Sequence, residues 1–513
     1  MFSLLLTSTV LAEEPPGEVS AGAGEFIPMV QLSEAFLVAT RTEQSDLDTA
    51  ANVSRFGRRD FDFVGAEGFD DFLEMEPLVS ASSDGSAADP TVAYNSGGAG
   101  AYTVRGVGGN RVAILVDGIR QPLEVDFQVG GIAINSAGRD YFDPAIFQSA
   151  EVFKGTASSL YGSDALAGVV AFTTPEPGDF LESSGDDRFL GYRFQYGSAA
   201  ENVSNVLTGA LRDGPVEVLL MYARRDYGER ENQARLVNDF LPQPNPVDAA
   251  SDSVLAKIAY QLNETHGLQL GAESFLRDTA IDVRSVERVE DGSFSVSLGG
   301  GSLPGESRRS VDDARSQNDR ERIRYSLEHL FEPTGGALRE IRTLLYHQRS
   351  RTEDDYREAG TVEWEASALP GFGFTEANES EVATSYEEIT TGLSMTTLSE
   401  FEAAGGLHSL LLGLEASQGD SEIPFEAAGS STITASTIAG FPDYQIGRVE
   451  NFALDRPRLP PTETTRIGAY LQDAFTFGSE QQWTLTGGLR ADYYRLESEK
   501  DSAFRAFVGT DAP

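Results

Sequence analysis

Thr103-Val-Arg-Gly-Val-Gly-Gly-Asn-Arg-Val-Ala-Ile-Leu-Val-Asp-Gly-Ile-Arg-Gln-Pro122 and Ala150-Glu-Val-Phe-Lys-Gly-Thr-Ala-Ser-Ser-Leu-Tyr-Gly-Ser-Asp-Ala-Leu-Ala-Gly-Val-Val-Ala-Phe172 are the blocks from which the fold is read. Val112 to Val116 is a short apolar run of the kind that fills a strand buried on both faces. Asp117-Gly118 supplies two left-handed positions for a tight hairpin turn, and Ile119 resumes a second strand. In the second block Glu151-Val-Phe-Lys154 predicts a strand that Gly155 breaks. Ala157 to Leu160 predicts a helical turn, Tyr161-Gly162-Ser163 a change of direction, and Gly168 to Phe172 another apolar strand. Together they describe a small mixed α+β unit kinked by glycines. Gly106-Val-Gly-Gly109 is not a dinucleotide loop, because that fingerprint runs from its glycines into a helix and here a strand follows.

These blocks resemble the plug domain of TonB-dependent outer-membrane receptors. That family carries Arg-Gly, then Arg-Val, then Leu-Val-Asp-Gly, matched here by Arg105, Gly106, Arg111, Asp117 and Gly118. Its second segment is matched by Glu151, Lys154, Gly155, Tyr161, Gly162 and Ser163, with Thr156 where Pro is usual and Ala167 where Gly is frequent. The resemblance implies a plug seated in an antiparallel transmembrane β-barrel, and a receptor that performs no covalent chemistry.

Outward from the two blocks, the chain is strongly acidic, with 39 Lys plus Arg against 81 Asp plus Glu and a formal charge of −42. Such a balance excludes nucleic acid as a partner bound through a phosphate-neutralising patch. No apolar run reaches the roughly 18 residues of a membrane-spanning helix. The absence of cysteine excludes disulfides and thiolate metal sites. Residues 1–12 read as a signal-peptide core ending Val10-Leu-Ala12, which implies export. Residues 13–33 read as a flexible linker. Residues 34–42 form a β-prone run, and an extended tethered segment of this kind adds a strand to another protein's sheet edge. By its place ahead of the plug it resembles the family's TonB box. Ala35, Phe36, Leu37, Val38 and Ala39 are then the coupling contact with a TonB-type inner-membrane energy-transducing protein.

After the plug, assigned to residues 43–180, the texture becomes strands with one apolar and one polar face. Leu190, Tyr192, Phe194 and Tyr196 alternate with polar neighbours, as do Trp483, Leu485, Leu489 and Tyr493. We expect eleven strands, near 188–198, 203–212, 215–228, 252–262, 266–278, 318–331, 337–351, 384–400, 406–418, 463–478 and 481–497. Short links such as Arg212-Asp-Gly-Pro215 and Ala403-Ala-Gly-Gly406 alternate with long polar ones at 229–251, 279–317, 352–383 and 419–462. Outer-membrane barrels have that alternation of periplasmic turns and extracellular loops, whereas a soluble sandwich has no reason to obey it. Plugged transporters have about 22 strands, so residues 188–513 read as the N-terminal half of a barrel, cut short at its C-terminus.

Gly138-Arg-Asp-Tyr-Phe-Asp-Pro144, Ser253-Val-Leu-Ala-Lys257 and Phe275-Leu-Arg-Asp-Thr279 resemble the haem and haemoglobin receptor branch of the family. The resemblance implies haem as a transported ligand rather than a resident cofactor, with outer-membrane lipid around the wall. Partners outside the cell are haem, a haemoprotein or, as the alternative, a siderophore. Haem iron takes an axial His or Tyr. The four histidines, His266, His329, His347 and His408, lie on or beside expected strands, none at metal-ligand spacing. A secreted acidic β-rich hydrolase or adhesin is the alternative of a different class. Its candidate carboxylates, Asp186-Asp187 and Glu353-Asp354-Asp355, fall in expected linkers or loops and read as solvated charge. No Gly-x-Ser-x-Gly elbow accompanies Ser158, Ser159 or Ser163.

Overall fold

The computed structural model describes residues 53–64, 76, 79–81, 102–129, 132–137, 139, 141–155, 157–182, 185–229, 245–284, 289–298, 301–367, 369, 371–437, 446–455, 459–478 and 483–499. The expected signal peptide, linker and coupling strand lie outside them. The first unit comprises β1 (Val53–Gly57), α1 (Arg58–Val64), β2 (Val79–Ala81), β3 (Tyr102–Val104), β4 (Val107–Gly108), β5 (Val112–Val116), β6 (Ile119–Arg120), β7 (Val125–Val129) and β8 (Ile132–Ala137). It ends with β9 (Ser149–Phe153), α2 (Ser158–Tyr161) and β10 (Gly168–Thr173).

Its main sheet has the order β1-β9-β10-β5-β6, and all five residues of β5 are buried. β5 pairs parallel to β10, Val112 opposite Gly168, so the intervening chain crosses over. Asp117 and Gly118 adopt φ of 49° and 77°, the left-handed pair expected for the β5–β6 turn. The period-two pattern sends Val112, Ile114, Val116, Val152, Val170 and Phe172 to one face and Ala113, Leu115, Val169 and Ala171 to the other. On the first face Phe142, Phe147 and Phe172 form a ring cluster with centroids 5.1 to 5.5 Å apart.

The second unit is one antiparallel sheet. Its continuous path runs β11 (Asp187–Gly197), β12 (Asn202–Asp213), β13 (Val216–Gly228), β14 (Val247–Asn263), β15 (His266–Asp282), β17 (Gly301–Phe331), β18 (Leu338–Ala366), β19 (Gly373–Ala403), β20 (Gly406–Ile423), β23 (Leu459–Phe477) and β24 (Trp483–Ser498). Each of the eleven expected strands is present. The short links are real turns: Ala404 and Gly405 have φ of 53° and 83°, and Gly214 has φ 54°. Among the described residues β11 and β24 are the ends of the path, so the wall is open rather than closed.

The long polar links are a correction. Where they are described they continue as strand, extending β17 to 31 residues, β18 to 29 and β19 to 31, and they add β16 (Val289–Leu298), β21 (Phe425–Ser436) and β22 (Val449–Asp455). At about 3.4 Å per residue a 31-residue strand is roughly 100 Å long, far more than an apolar band of about 25 Å needs. The extensions have water beside them, so they carry no lipid-facing apolar stripe, and alternation alone does not reveal them. Glu353-Asp354-Asp355 thus lies within β18 rather than in a loop, and Asp187 begins β11.

The burial of the wall is inverted relative to a soluble sheet. Leu190, Leu220, Leu270, Leu414 and Leu489 face outward, Leu190 at 78% exposure, whereas Arg322 on the inward face of β17 is 0% exposed. Leucines outside and polar groups inside are the arrangement of a sheet with hydrocarbon around it, the reverse of a water-soluble β-sheet. Near the short turns the outward face carries stacked rings. His266 lies against His329 and Phe331, with His266 Nδ1 3.0 Å from His329 Nε2, and His408 lies between Phe401 and Phe475. These histidines belong to an aromatic girdle. In this setting Leu270→Arg is expected to cost about 2–4 kcal/mol, read as a lower urea midpoint for refolding into lipid vesicles; an unchanged midpoint would mean that Leu270 does not face lipid.

Candidate functional site

The first unit touches the wall from β11 to β24, so the sheet curves around it. Arg193 on β11 donates to Ala145 O (3.0 Å), and Arg490 on β24 donates to Leu160 O (2.5 Å). The candidate site is this plug–wall interface. Inward positions of the alternating strands supply its charges, and turns of the plug supply their counterparts.

The β5–β6 turn makes the densest contact. Asp117 accepts hydrogen bonds from Thr174 N and Thr174 Oγ1, both 2.8 Å, which ties the turn to the end of β10. Arg324 on β17 donates to Asp117 Oδ2 (2.7 Å), Val116 O (2.7 Å) and Glu273 Oε2 on β15 (2.6 Å). Glu273 also pairs with Arg322, which donates to Gln121 Oε1 (2.5 Å). Close by, Lys257 on β14 donates to Glu176 Oε1 (2.6 Å) and Thr174 O (3.5 Å).

Two further contacts flank it. Asp143 caps its own turn through Ala145 N (2.7 Å) and accepts from Arg225 Nε (2.9 Å) and Arg225 Nη2 (3.0 Å) on β13. On the other flank Asp164 takes Arg120 (3.1 Å) from the plug and Arg466 (3.2 Å) from β23, while Arg490 pairs with Glu415 (2.9 Å) and Asp492 (2.8 Å). Gly162 has φ 81°, and a Cβ there would lie 3.3 Å from Arg490 Nε, so this turn needs a residue without a side chain.

Burial alone would raise the Asp117 and Asp143 carboxyls. Lys257, Arg324 and Thr174 outweigh it for Asp117, and Arg225 with the Ala145 amide outweighs it for Asp143, so both are held below the ordinary carboxylate range. Glu176 is raised, because burial exceeds the pull of Lys257. A depressed folded pKa stabilises docking fully above the unfolded value of about 3.9, and that contribution is lost as pH falls through the folded value. Glu176 has the opposite sign: its cost is present above its raised folded pKa and is relieved on acidification. Two depressed groups against one raised group lead us to expect a calorimetric plug transition that does not fall from neutral to about pH 5, where relief of Glu176 acts in its favour, and that falls below about pH 4. A midpoint that rises there would contradict the pairings.

The family-like residues divide by role. Asp117, Gly118, Tyr161 and Gly162 are brought to the wall; Tyr161 packs in one cluster with Leu411 and Tyr470 of the wall, and its backbone O accepts from Arg120 within the plug. Glu151 and Lys154 instead bind within the plug, Glu151 opposite Arg55 (3.8 Å) and Lys154 to Glu76 and Ser54 Oγ. Arg105 and Gly106 form the β3–β4 turn with φ of 54° and 77°. Arg111 Nε donates to Gly108 O (3.1 Å), Gly155 follows β9, and Ser163, itself exposed, opens the turn after Gly162. Ala35 to Ala39 lie outside the described residues. The wall partners Glu273, Arg322, Arg324 and Arg225 were not singled out from sequence, and Lys257 was quoted only as the end of Ser253-Val-Leu-Ala-Lys257, not as a partner of the plug. Their signal was charge at inward parity, Arg322 and Arg324 alternating with Ile323 and Tyr325.

A family model of the TonB-dependent Receptor Plug Domain matches residues 45–169, and one of the TonB dependent receptor-like beta-barrel matches residues 265–511. The chain belongs to the TonB-dependent receptor family. Among relatives of this receptor, the hemoglobin and hemoglobin-haptoglobin-binding protein B of Haemophilus influenzae is 28% identical over 248 residues, 45% of this chain and 22% of that protein. The hemin receptor of Yersinia pestis is 30% identical over 196 residues, 38% of this chain and 26% of that one. The matched stretches thus span about a quarter or less of these relatives' lengths. Among solved structures, the FrpB iron transporter of Neisseria meningitidis aligns with TM-score 0.39 at 12% identity, covering 87% of this receptor chain and 92% of that one. The hemophore receptor HasR of Serratia marcescens aligns with TM-score 0.36 at 12% identity, covering 87% and 99%.

Proposed function

We propose that this chain forms the plug and part of the wall of an outer-membrane receptor that imports an iron-bearing ligand, haem or haem drawn from a haemoprotein. The observation that carries the receptor reading is the plug, held by paired charges inside a wall whose outer face is apolar. The ligand reading is supported by the relatives, named for haemoglobin and hemin. A plug fixed by ion pairs needs work to move. The strand Ala35 to Ala39, added to the sheet edge of a TonB-type inner-membrane protein, is the handle through which that work is delivered.

A cell lacking the receptor, given haemin or haemoglobin as sole iron source, is expected to grow only when the gene is restored. Val38→Pro is expected to abolish uptake while leaving surface binding intact, because proline removes a ladder hydrogen bond from the added strand. Restored growth on a ferric siderophore but not on haem would transfer the cargo to the siderophore alternative. Val38→Pro with normal uptake would remove the coupling role of this segment.

A further inference from the structure

β1 and α1 are the first described elements after the coupling segment Ala35 to Ala39. β1 is five residues long and, among the described residues, is the edge strand of the main sheet, paired with β9. Two clasps fasten it along that edge: Arg55 lies 3.8 Å from Glu151, and Lys154 donates to Ser54 Oγ (3.0 Å). α1 follows at once. Gly57 N donates to Asp60 Oδ2 (2.8 Å) at its start, and Phe61 enters the apolar cluster.

Arg58, the first residue of α1, reaches away from this edge. It donates from Nη1 to Phe147 O (3.0 Å) and from Nη2 to Ala145 O (3.2 Å). The turn that carries these two carbonyls is one by which the plug holds the wall. Ala145 O also accepts from Arg193 Nη2 on β11 (3.0 Å), so a plug arginine and a wall arginine share one oxygen. Asp143, just before it, takes Arg225 of β13 and accepts from Ser251 Oγ of β14 (3.4 Å), while Tyr141 Oη meets Thr352 Oγ1 of β18 (2.7 Å). Pro144, Ala145 and Ile146 are all buried, and Phe147 continues into the ring cluster with Phe142 and Phe172. A guanidinium is a rigid planar fork and meets two carbonyls at once only in a narrow range of arrangements. A shift of this turn on the wall therefore deprives Arg58 of at least one of its bonds.

We propose that Arg58 is a positioning residue that joins two seatings into one linked equilibrium: that of the turn Asp143 to Phe147 on the wall, and that of β1 and α1 on the plug. Whatever unseats the turn loosens the element next to the coupling segment. The converse holds by the same factor, because a coupling free energy is reciprocal. The stretch ending Tyr141-Phe-Asp-Pro144, met above only as a family likeness, leads into this joint. The Asp117 turn does not duplicate it, since that turn follows β5, three strands away from β1 in the sheet order. The use of the joint in uptake rests on the receptor reading above; the joint itself does not.

Amide hydrogen exchange over β1, in the purified full-length receptor in detergent micelles, reads the joint with neither ligand nor partner present. Arg225→Ala, which removes the wall's hold on Asp143, is expected to speed exchange in β1 about tenfold. In an Arg58→Ala background that exchange is already fast, and Arg225→Ala should add less than about twofold, as for two residues acting through one contact. Arg55→Gln, which cuts a clasp without touching the turn, should also speed exchange in β1 but keep the full response to Arg225→Ala. Asp164→Asn, on the other flank of the plug, should leave β1 unchanged. Additive effects of Arg58→Ala and Arg225→Ala would overturn the joint, as would a response of β1 to Asp164→Asn equal to that of Arg225→Ala. If Arg58→Ala unfolds the plug, Arg58→Lys, which keeps the charge and loses the fork, gives the same comparison and should show an intermediate response. In cells, Arg58→Lys is expected to slow haemin uptake several-fold at unchanged surface binding; a wild-type rate would remove the joint from uptake. Additive exchange in a receptor that supports growth on haemin refutes the joint and leaves the proposed function standing. Coupled exchange in a receptor that restores growth on no iron source refutes the proposed function and leaves the joint.

Discussion

Glu273→Ala is expected to cost about 3–5 kcal/mol, the penalty of breaking a buried pair from one side. Glu273 joins both Arg322 and Arg324, and its loss leaves two guanidinium groups side by side without their shared carboxylate. Asp117 still meets Arg324, so the plug keeps one of its ties to this part of the wall. Glu273 and both arginines are wall residues, so the effect reaches the plug through Arg324, which meets Asp117, and Arg322, which meets Gln121: a loosened stopper, not an unfolded barrel. The measurement is the sensitivity of cells to a large antibiotic that an intact outer membrane excludes, alongside a lowered calorimetric transition for the plug. Glu273→Gln restores hydrogen bonding without charge and should recover part of the loss. Wild-type exclusion and an unmoved transition in Glu273→Ala would show that the pair does not hold the plug.

Phe172→Ala acts on the plug itself, with an expected cost of about 3–5 kcal/mol. Phe172 is 1% exposed and stacks on Phe147 at 5.1 Å, with Phe142 at 5.2 Å. Its backbone O also accepts the Asp117 amide (2.9 Å), so a collapse into the cavity pulls on the same turn that reaches Arg324. The expected readout is a plug transition many degrees lower and faster proteolysis between β5 and β10, while the heat-modifiable migration of the barrel is retained. Loss of the barrel together with the plug would instead mean that the two fold as one unit. Phe172→Leu, which preserves more volume, should lie between the two.

Much of this was legible in the residues because it rests on local rules. Asp117-Gly118 reads as a hairpin turn since few other pairs tolerate two left-handed positions in succession. The eleven wall strands were found because lipid on one side and polar groups on the other impose alternation. The same rule fails for the outer parts of β17, β18 and β19, where water replaces lipid and the stripe is lost. It fails differently for the site. Arg322 and Arg324 look like ordinary solvated charge in the run Asp319-Arg-Glu-Arg-Ile-Arg324, and nothing in that run points to Glu273 on the preceding strand of the path or to Asp117 in the plug.

What the chain determined alone was therefore whatever follows from neighbours in sequence: the glycine-hinged plug, the eleven strands of the continuous wall path and the family. Tertiary structure decided which charges meet, because burial pairs residues more than two hundred positions apart, as with Asp117 and Arg324. It also decided which apolar side chains of the wall join the plug's core, among them Val206, Leu219, Met221 and Leu255. Both follow from the curvature of the sheet, which sets inward side chains of strands distant in sequence against one body.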